Sequence, residues 1–254
     1  MCPFGPGDLA ASLLGFIDEV VPCGCAVCRV AVPNGRPPLC DLCASRVAPV
    51  PPPQCPRCGL TRVISVSGPD ECSECHGWPP TLAKAASACL HEGAAADLVR
   101  GLKYRGWTAL ADYMGERMLP VARALVGDAT PTLVPVPLAP ARLRERGFNQ
   151  AALLARALAR RAGWRVSPLL RRTRGGPALA RLGRHQREQA ATGAYSLDPA
   201  APELLRHGRA VLIVDDVITT GSTGVACSEA LAAGGLQCLG LVSFARTNPL
   251  LERP

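Results

Sequence analysis

The chain has 254 residues, a net charge of +8 and 48% apolar residues, which is enough for one large domain with a hydrophobic core and a smaller module beside it. No uncharged apolar run approaches 18 residues, so the sequence predicts no membrane insertion. The apolar stretch 9–21 contains Asp18 and Glu19 and lacks a basic leader, which argues against a secretory signal and predicts a cytoplasmic protein.

Most of the thirteen cysteines lie in the first third of the chain, and eight of them form four CxxC pairs. A CxxC turn presents two thiolates to one metal ion, and two such turns complete a tetrahedral zinc site without an open position. The pairs are Cys25 with Cys28, Cys40 with Cys43, Cys55 with Cys58, and Cys72 with Cys75. The sequence therefore predicts two structural zinc ions, each held by two neighbouring pairs.

The spacing of the cysteines leaves some alternatives open. The first pair can combine with the third and the second with the fourth, and Cys23 or His76 can replace a ligand because each lies beside a pair. Redox-active CxxC motifs are a competing interpretation, but thioredoxin-like motifs do not occur four in a row. The proline-rich segment 47–53 between the two sites predicts a stiff, extended spacer.

Beyond residue 84 the pattern alternates between helices and strands, which predicts an α/β domain with a mainly parallel sheet flanked by helices. Asn149 is predicted to cap one helix, and Pro120 to end or kink another. The predicted helices span 94–104, 110–126 and 149–161, and the predicted strands 132–137, 165–170, 194–197, 210–214 and 237–245. We therefore predict a double zinc-ribbon module over residues 1–84 and the α/β domain over residues 85–254.

A basic segment follows the first predicted strand of the α/β domain and contains Arg142, Arg144 and Arg146. A loop in this position can face the crevice at the carboxyl edge of the sheet, where arginines could hold a pyrophosphate by bidentate contacts. A solvated, basic start of a helix is the alternative. Thirteen arginines and one acidic residue, Glu145, lie between Arg142 and Arg187, a density that attracts polyanions. Aromatic residues make up only 4% of the chain, so platforms for base stacking are few.

The most informative segment is VLIVDDVITTGST, residues 211–223. Its first four residues predict a buried strand, and Asp215 and Asp216 come where that strand is expected to end, placed to accept hydrogen bonds from two neighbouring hydroxyls. The turn that follows combines hydroxyl side chains with a glycine: Thr219, Thr220, Gly221, Ser222 and Thr223. Because a predicted helix follows, backbone N–H groups and the helix N-terminus suit a monophosphate.

This segment resembles the phosphoribosyl pyrophosphate (PRPP) loop of type I phosphoribosyltransferases. The resemblance implies that residues 219–223 hold the 5-phosphate and that Asp215 and Asp216 contact the ribose 2- and 3-hydroxyls. The chain as a whole resembles the ComF family, phosphoribosyltransferase-like proteins associated with DNA uptake in competent bacteria. The motifs that carry this second resemblance are the CxxC pairs, LVRGLKYRG at 98–106, VPVPL at 134–138 and RLRERGFNQAALLA at 142–155.

The ComF resemblance implies a type I phosphoribosyltransferase-like fold that binds PRPP with magnesium. It also assigns Lys103 and the segment from Arg142 to Gln150 to the region that faces the ligand. Single-stranded DNA and proteins of the DNA-uptake machinery are the further partners that it implies.

The same resemblance makes residues 173–191 the mobile hood loop of the fold. Ala190 stands where relatives have an asparagine, so a polar contact is missing and efficient turnover is disfavoured. Three hypotheses about function follow. The protein is a PRPP-binding protein of DNA uptake or processing, an active phosphoribosyltransferase on an unidentified acceptor, or a PRPP-sensing regulator without turnover.

Overall fold

A five-stranded parallel sheet forms the centre of the fold. The computed structural model describes residues 23–32, 39–62, 72–173, 193–201 and 210–248. In chain order the strands are β1 (Cys23–Gly24), β2 (Ala31–Val32), β3 (Ala85–Leu90), β4 (Thr132–Pro135), β5 (Arg165–Val166), β6 (Leu170–Arg172), β7 (Tyr195–Leu197), β8 (Ala210–Ile218) and β9 (Gln237–Arg246). The sheet has the order β3-β9-β8-β4-β5, and every pairing in it is parallel. The pairs β1–β2 and β6–β7 are antiparallel.

Helices cover both faces of this sheet, as the alternating sequence pattern predicts. In chain order they are α1 (Asp41–Ser45), α2 (Gly93–Tyr104), α3 (Leu110–Val126), α4 (Pro140–Arg146), α5 (Gln150–Ala162) and α6 (Ser222–Ala233). Residues of α3 and α5 pack in one hydrophobic cluster with one face of the sheet, and residues of α6 pack in a second cluster with the other face. None of the helices described is long and apolar enough to cross a membrane.

The centre of the sheet is β8, in which the four apolar residues 211–214 are inaccessible to solvent. Leu212 and Val214 pack in the cluster that contains α3 and α5, whereas Val211 and Ile213 pack in the cluster that contains α6. This alternation follows from the two-residue period of a strand. It confirms the prediction of a strand that is buried on both faces.

The predicted helices agree with the structure, and of the two effects predicted for Pro120 the structure excludes the end of the helix. The Asn149 side chain accepts hydrogen bonds from the backbone N–H groups of Ala151 and Ala152, so it caps α5 as predicted. Pro120 does not end its helix, because α3 continues to Val126. Buried residues of α3 on both sides of the proline, such as Met118 and Ala122, supply packing that offsets the backbone hydrogen bond that proline cannot donate.

Three strand predictions need correction. The stretch predicted as one strand over 165–170 is divided between β5 and β6, because Pro168 cannot donate a ladder hydrogen bond and the chain then pairs with β7. β8 continues to Ile218, so Asp215 and Asp216 lie within the strand and not after it. β3 was not predicted, since AASACL lacks β-branched residues, and its pairing with β9 stabilises it instead.

The cysteine-containing segments pack against the α/β part on opposite faces of the sheet. Cys25 and Cys43 belong to the hydrophobic cluster of α3 and α5, and Cys58 and Cys75 belong to that of α6. Backbone hydrogen bonds continue across residue 84, for example from the N–H of Ala85 to the carbonyl of residue 57, 2.7 Å. The division into two domains at residue 84 stays a prediction.

Candidate functional site

The loop between β8 and α6 lies at the carboxyl edge of the sheet and lines a small pocket. Gly221 has φ +80°, a left-handed conformation that favours glycine, and α6 begins at the next residue. The pocket is lined by Asp215, Val217, Ile218, Thr219, Gly221, Thr223, Gly224 and Leu241. The hydroxyls of Thr219 and Thr223 and the backbone at Gly221 suit one polar end of a ligand, such as a phosphate group.

Hydroxyl groups and backbone N–H groups of the loop face each other. The hydroxyls of Thr220 and Ser222 lie 3.0 Å apart, and the N–H of Ser222 points to the Thr220 hydroxyl at 3.4 Å. Gly221 is the N-cap of α6 and offers no side-chain cap, so the first turn of this 12-residue helix lacks the usual side-chain acceptor. An anion at this position would accept hydrogen bonds from these donors.

Tyr195 of β7 lies close to Thr223 of this loop. Burial raises the pKa of the Tyr195 hydroxyl, so it stays protonated at neutral pH. Sequence reasoning did not single out Tyr195, because nothing in its local pattern shows that β7 folds back over α6. The described ends of the hairpin, Thr173 and Gly193, are joined by a hydrogen bond of 3.1 Å. The predicted hood loop, 173–191, lies outside the described residues except for Thr173.

Lys103 and Asp216, which the sequence assigned to the site from distant parts of the chain, form an ion pair. The Nζ atom of Lys103 lies 2.8 Å from Oδ1 of Asp216, and the two side chains are 20% and 5% exposed. Burial alone would lower the pKa of Lys103, but the Asp216 charge and hydrogen bond outweigh burial, so the pKa is raised. The second carboxylate oxygen of Asp216 is buried without a hydrogen-bond partner among the described residues.

The side chain of Asp215 has different surroundings from that of Asp216. It lines the pocket below α6, and its Oδ1 atom accepts a 2.8 Å hydrogen bond from the backbone N–H of Asp216. Burial and the neighbouring Asp216 charge raise the pKa of Asp215 to about 7, against the opposing charge of Lys103. The charge of this carboxylate therefore changes close to neutral pH.

The three predicted arginines lie on α4, and the structure gives them different surroundings. Arg142 forms an ion pair with Glu145, 2.7 Å, and both side chains are exposed to solvent. Arg144 is exposed as well. The guanidinium of Arg146 lies 5.0 Å from the ring centre of Tyr104, the residue that follows Lys103 in the chain. The Nε atom of Arg146 is buried without a partner among the described residues. Arg146 is therefore the member of the set that the described contacts link to the Lys103 region.

Aromatic side chains beside arginines form a second feature near the end of α2, which sequence reasoning only partly identified. Tyr104 is 64% exposed and carries Arg146 on its ring. The ring of Trp107 lies between the guanidinium groups of Arg29 and Arg105, at 4.6 and 5.0 Å from its centre. Tyr104 was missed, although the run from Lys103 to Trp107 alternates basic and aromatic residues and offered a signal for it.

The cysteines form two clusters, each from neighbouring pairs. The first cluster contains Cys25, Cys28, Cys40 and Cys43, and the second contains Cys55, Cys58, Cys72 and Cys75, with all sulfur atoms of a cluster within 4.8 Å of one another. All eight are free thiols. Cross-pairing of the first with the third pair is therefore excluded. His76 does not belong to a cluster, and the side chain of Cys23 lies outside the described part of the chain.

The spacing of the sulfur atoms fits a zinc ion. A Zn–S bond of about 2.3 Å in a tetrahedron places neighbouring sulfur atoms about 3.8 Å apart. The Sγ atoms of Cys55 and Cys75 and those of Cys58 and Cys72 are each 3.7 Å apart, and in the first cluster Cys28 and Cys40 are 3.6 Å apart. A disulfide bond would require about 2.05 Å. The two clusters can each hold one zinc ion as a closed, structural site.

Comparisons with known proteins give the chain a family. A scan against protein-family models finds no match. The DNA utilization protein YhgH of Escherichia coli strain K12 is 30% identical over 233 residues, and that of Salmonella typhimurium strain LT2 is 30% identical over the same length. Each alignment covers 89% of this chain and 98% of the relative. The chain belongs to the YhgH family.

In this member of the YhgH family, the fold brings several predicted site residues together at one edge of the sheet. Lys103 meets Asp216, and Asp215 lines the same pocket as Thr219, Gly221 and Thr223. The contacts described do not bring Arg142 to this edge, since its partner is Glu145. The ligand roles of these residues stay predictions.

Proposed function

We propose that the protein binds PRPP at the carboxyl edge of its sheet and acts in DNA uptake or processing as a member of the ComF family. One observation carries the PRPP part: Asp215, the left-handed Gly221 and the uncapped N-terminus of α6 line one pocket. A sugar phosphate suits this arrangement, because its hydroxyls can donate to the Asp215 carboxylate while its phosphate accepts from the N-terminus of α6. The DNA part is supported by the name of the relatives, DNA utilization protein.

The proposed roles follow the positions of the side chains. The loop 219–223 would hold the 5-phosphate through backbone N–H groups and hydroxyls. Asp215 would accept a hydrogen bond from one ribose hydroxyl, and the unpartnered oxygen of buried Asp216 would accept one from the other. In this role Lys103 would hold the Asp216 carboxylate in position through their 2.8 Å ion pair.

The pyrophosphate of PRPP would be neutralised by magnesium and by cationic side chains. Arg146 is the strongest candidate because its buried Nε atom still lacks a partner among the described residues. Arg142 and Arg144 would add to the positive potential, and Arg142 would first have to leave Glu145. Magnesium would arrive with PRPP as a counterion of its phosphates.

Contact with single-stranded nucleic acid is supported by the aromatic residues beside arginines. Bases stack on exposed rings irrespective of sequence, and arginines add attraction to the phosphates. Tyr104 with Arg146, and Trp107 with Arg29 and Arg105, supply both groups around the end of α2. The low aromatic content of the chain therefore does not exclude base stacking, because the fold places three arginines on the rings of Tyr104 and Trp107.

Calorimetric titration of PRPP with magnesium tests the proposal, and Asp215→Asn is the decisive variant. We expect the affinity at pH 8 to fall tenfold or more, since a charged hydrogen bond contributes roughly 1.5–3 kcal/mol and about 1.4 kcal/mol corresponds to a factor of ten. Asp112→Asn, on the exposed side of α3, is the matched control. Asp216 is a poorer choice because its replacement also breaks a buried ion pair.

An assay of pyrophosphate release, run beside the titration, separates binding from catalysis. Release of pyrophosphate in the presence of PRPP, magnesium and candidate bases would assign phosphoribosyl transfer, and binding without release would assign an accessory or sensing role. Equal PRPP affinity of the wild type and the Asp215→Asn variant would refute the proposed site.

A further inference from the structure

The second cysteine cluster lies directly behind the proposed phosphate loop, and Trp78 connects the two. A Cβ atom built on Gly221 would lie 2.2 Å from Cζ2 and 2.8 Å from Cε2 of Trp78, far inside van der Waals contact. The indole ring is only 8% exposed. The backbone of the loop therefore packs against this ring, and its left-handed turn fits only because residue 221 has no side chain.

The cysteine turns hold Trp78 in this position. Its backbone N–H donates to the carbonyl of Cys75, 3.0 Å, and its carbonyl accepts a 2.7 Å hydrogen bond from Arg57. Arg57 lies between Cys55 and Cys58, and its other terminal nitrogen donates to the carbonyl of Cys75, 3.1 Å. One guanidinium group thus joins both cysteine turns of the cluster to the tryptophan. A change in the distance between the two turns would move the ring.

A second contact links the cluster to the residue before the loop. Arg246, the last residue of β9, is completely buried and donates a 2.8 Å hydrogen bond to the carbonyl of Cys58. It is the register partner of Ile218, and the N–H of the next residue, Thr247, donates to the carbonyl of Ile218, 3.0 Å. Ile218 directly precedes the loop. The cluster is therefore tied both to Gly221 within the turn that is proposed to bind phosphate and to the residue before that turn.

We propose that Trp78 is a positioning residue for the loop 219–223, and that a metal ion in the second cysteine cluster acts on anion binding through it. The inference rests on the proposed function for the identity of the anion. Four thiols within 4.8 Å of one another hold two chain turns together only when a metal ion binds them. When the metal is lost, the two turns separate, the Arg57 clamp opens and the loop loses its support on the indole ring. The cysteines of the first cluster that are buried, Cys25 and Cys43, pack on the other face of the sheet.

The first experiment replaces the ring without touching a metal ligand. Trp78→Phe removes the ring atoms that contact Gly221, so we expect the affinity for ribose 5-phosphate to fall about tenfold while the zinc content stays that of the wild type. Trp164→Phe is the matched control, because this tryptophan packs in the cluster of α3 and α5 and should leave the affinity within a factor of two. Equal affinities in the two variants would overturn the role of Trp78.

The second experiment removes one metal ion at a time, and its measurement does not require a bound anion such as PRPP or ribose 5-phosphate. Cys40→Ser and Cys72→Ser form a matched pair, since both thiols are half-buried and each is the first cysteine of the second pair in its cluster. Each variant should lose one zinc ion. Hydrogen exchange measured by mass spectrometry should become at least tenfold faster at residues 219–224 in Cys72→Ser only.

The outcomes distinguish this inference from the proposed function. A wild type that binds neither PRPP nor ribose 5-phosphate refutes the proposed function, and the exchange measurement still decides whether the second cluster supports the loop. Unchanged exchange at residues 219–224 after loss of the second zinc ion overturns the inference. If Cys72→Ser does not fold, hydrogen exchange is measured at residues 219–224 in Trp78→Phe instead. Faster exchange there supports the inference, and unchanged exchange overturns it.

Discussion

The two cysteine clusters share a motif but differ in their surroundings. In the first cluster Cys28 is exposed, and the neighbouring Arg29 is an exposed residue that extends over the ring of Trp107. In the second cluster, by contrast, the neighbouring cation is Arg246, which has no exposure and donates to the carbonyl of Cys58. Burial raises the pKa of the Cys58 thiol to about 12, and the charge of Arg246 opposes that rise.

This difference teaches that the same zinc motif can have two structural functions in one chain. A cluster with an exposed rim and a surface arginine can add an accessible, positively charged surface. A cluster that encloses a buried cation becomes part of the core, and a dianionic zinc tetrathiolate would compensate the charge of Arg246.

The largest effect is expected from the two arginines that distinguish the clusters. Arg246→Met leaves the second cluster without its buried cation, and breaking a buried charge pair costs about 3–5 kcal/mol. Arg29→Met removes an exposed guanidinium, so the free energy of unfolding should change by less than about 1 kcal/mol. Urea unfolding of both variants with zinc present checks this. Similar losses of stability would mean that the two clusters are equivalent.

An effect of intermediate size is expected when PRPP affinity is measured at different pH values. This measurement tests the proposed PRPP site separately from the cysteine clusters. Asp215 has a pKa raised to about 7 and carries its charge only above that value. If the charged form binds the ribose hydroxyl, PRPP affinity rises about tenfold between pH 6 and pH 8, as the charged fraction grows from about a tenth to about nine tenths. Calorimetry at constant zinc content measures it. The Asp215→Asn variant should lose this dependence, and a wild type without it would contradict the assignment.

The smallest effect concerns the exposed rim of the first cluster. Arg29→Met should weaken binding of single-stranded DNA and reduce the slope of log affinity against log salt by about 0.7, the value for one phosphate contact on a single strand. PRPP affinity should stay the same, because the contacts of Arg29 lie at Trp107 and not at the loop 219–223. Fluorescence anisotropy with an oligonucleotide at several salt concentrations measures it. An unchanged slope would remove Arg29 from the DNA-binding surface.

The local parts of this protein could be predicted from the sequence because short-range chemistry specifies them. Four CxxC pairs indicated two tetrathiolate sites, since the motif itself fixes the geometry of two ligands. Four successive apolar residues, Val211 to Val214, indicated a strand buried on both faces, and Asn149 indicated the start of α5 through its cap. In each case the signal lies within a few residues of the structure that it predicts.

The tertiary structure alone decided which of these parts meet. β3 forms through its pairing with β9, more than 150 positions away along the chain, and the local sequence of β3 does not predict a strand. The contact of Trp78 with Gly221 and the hydrogen bond from Arg246 to Cys58 depend on folding the second cluster against α6 and β9. Such contacts arise from packing across large separations in sequence, where the pattern around each residue carries no information about its partner. The sequence alone therefore determined the chemistry of the cysteine pairs and of the hydroxyl-rich loop 219–223, and the tertiary structure decided that one of the two clusters lies against that loop.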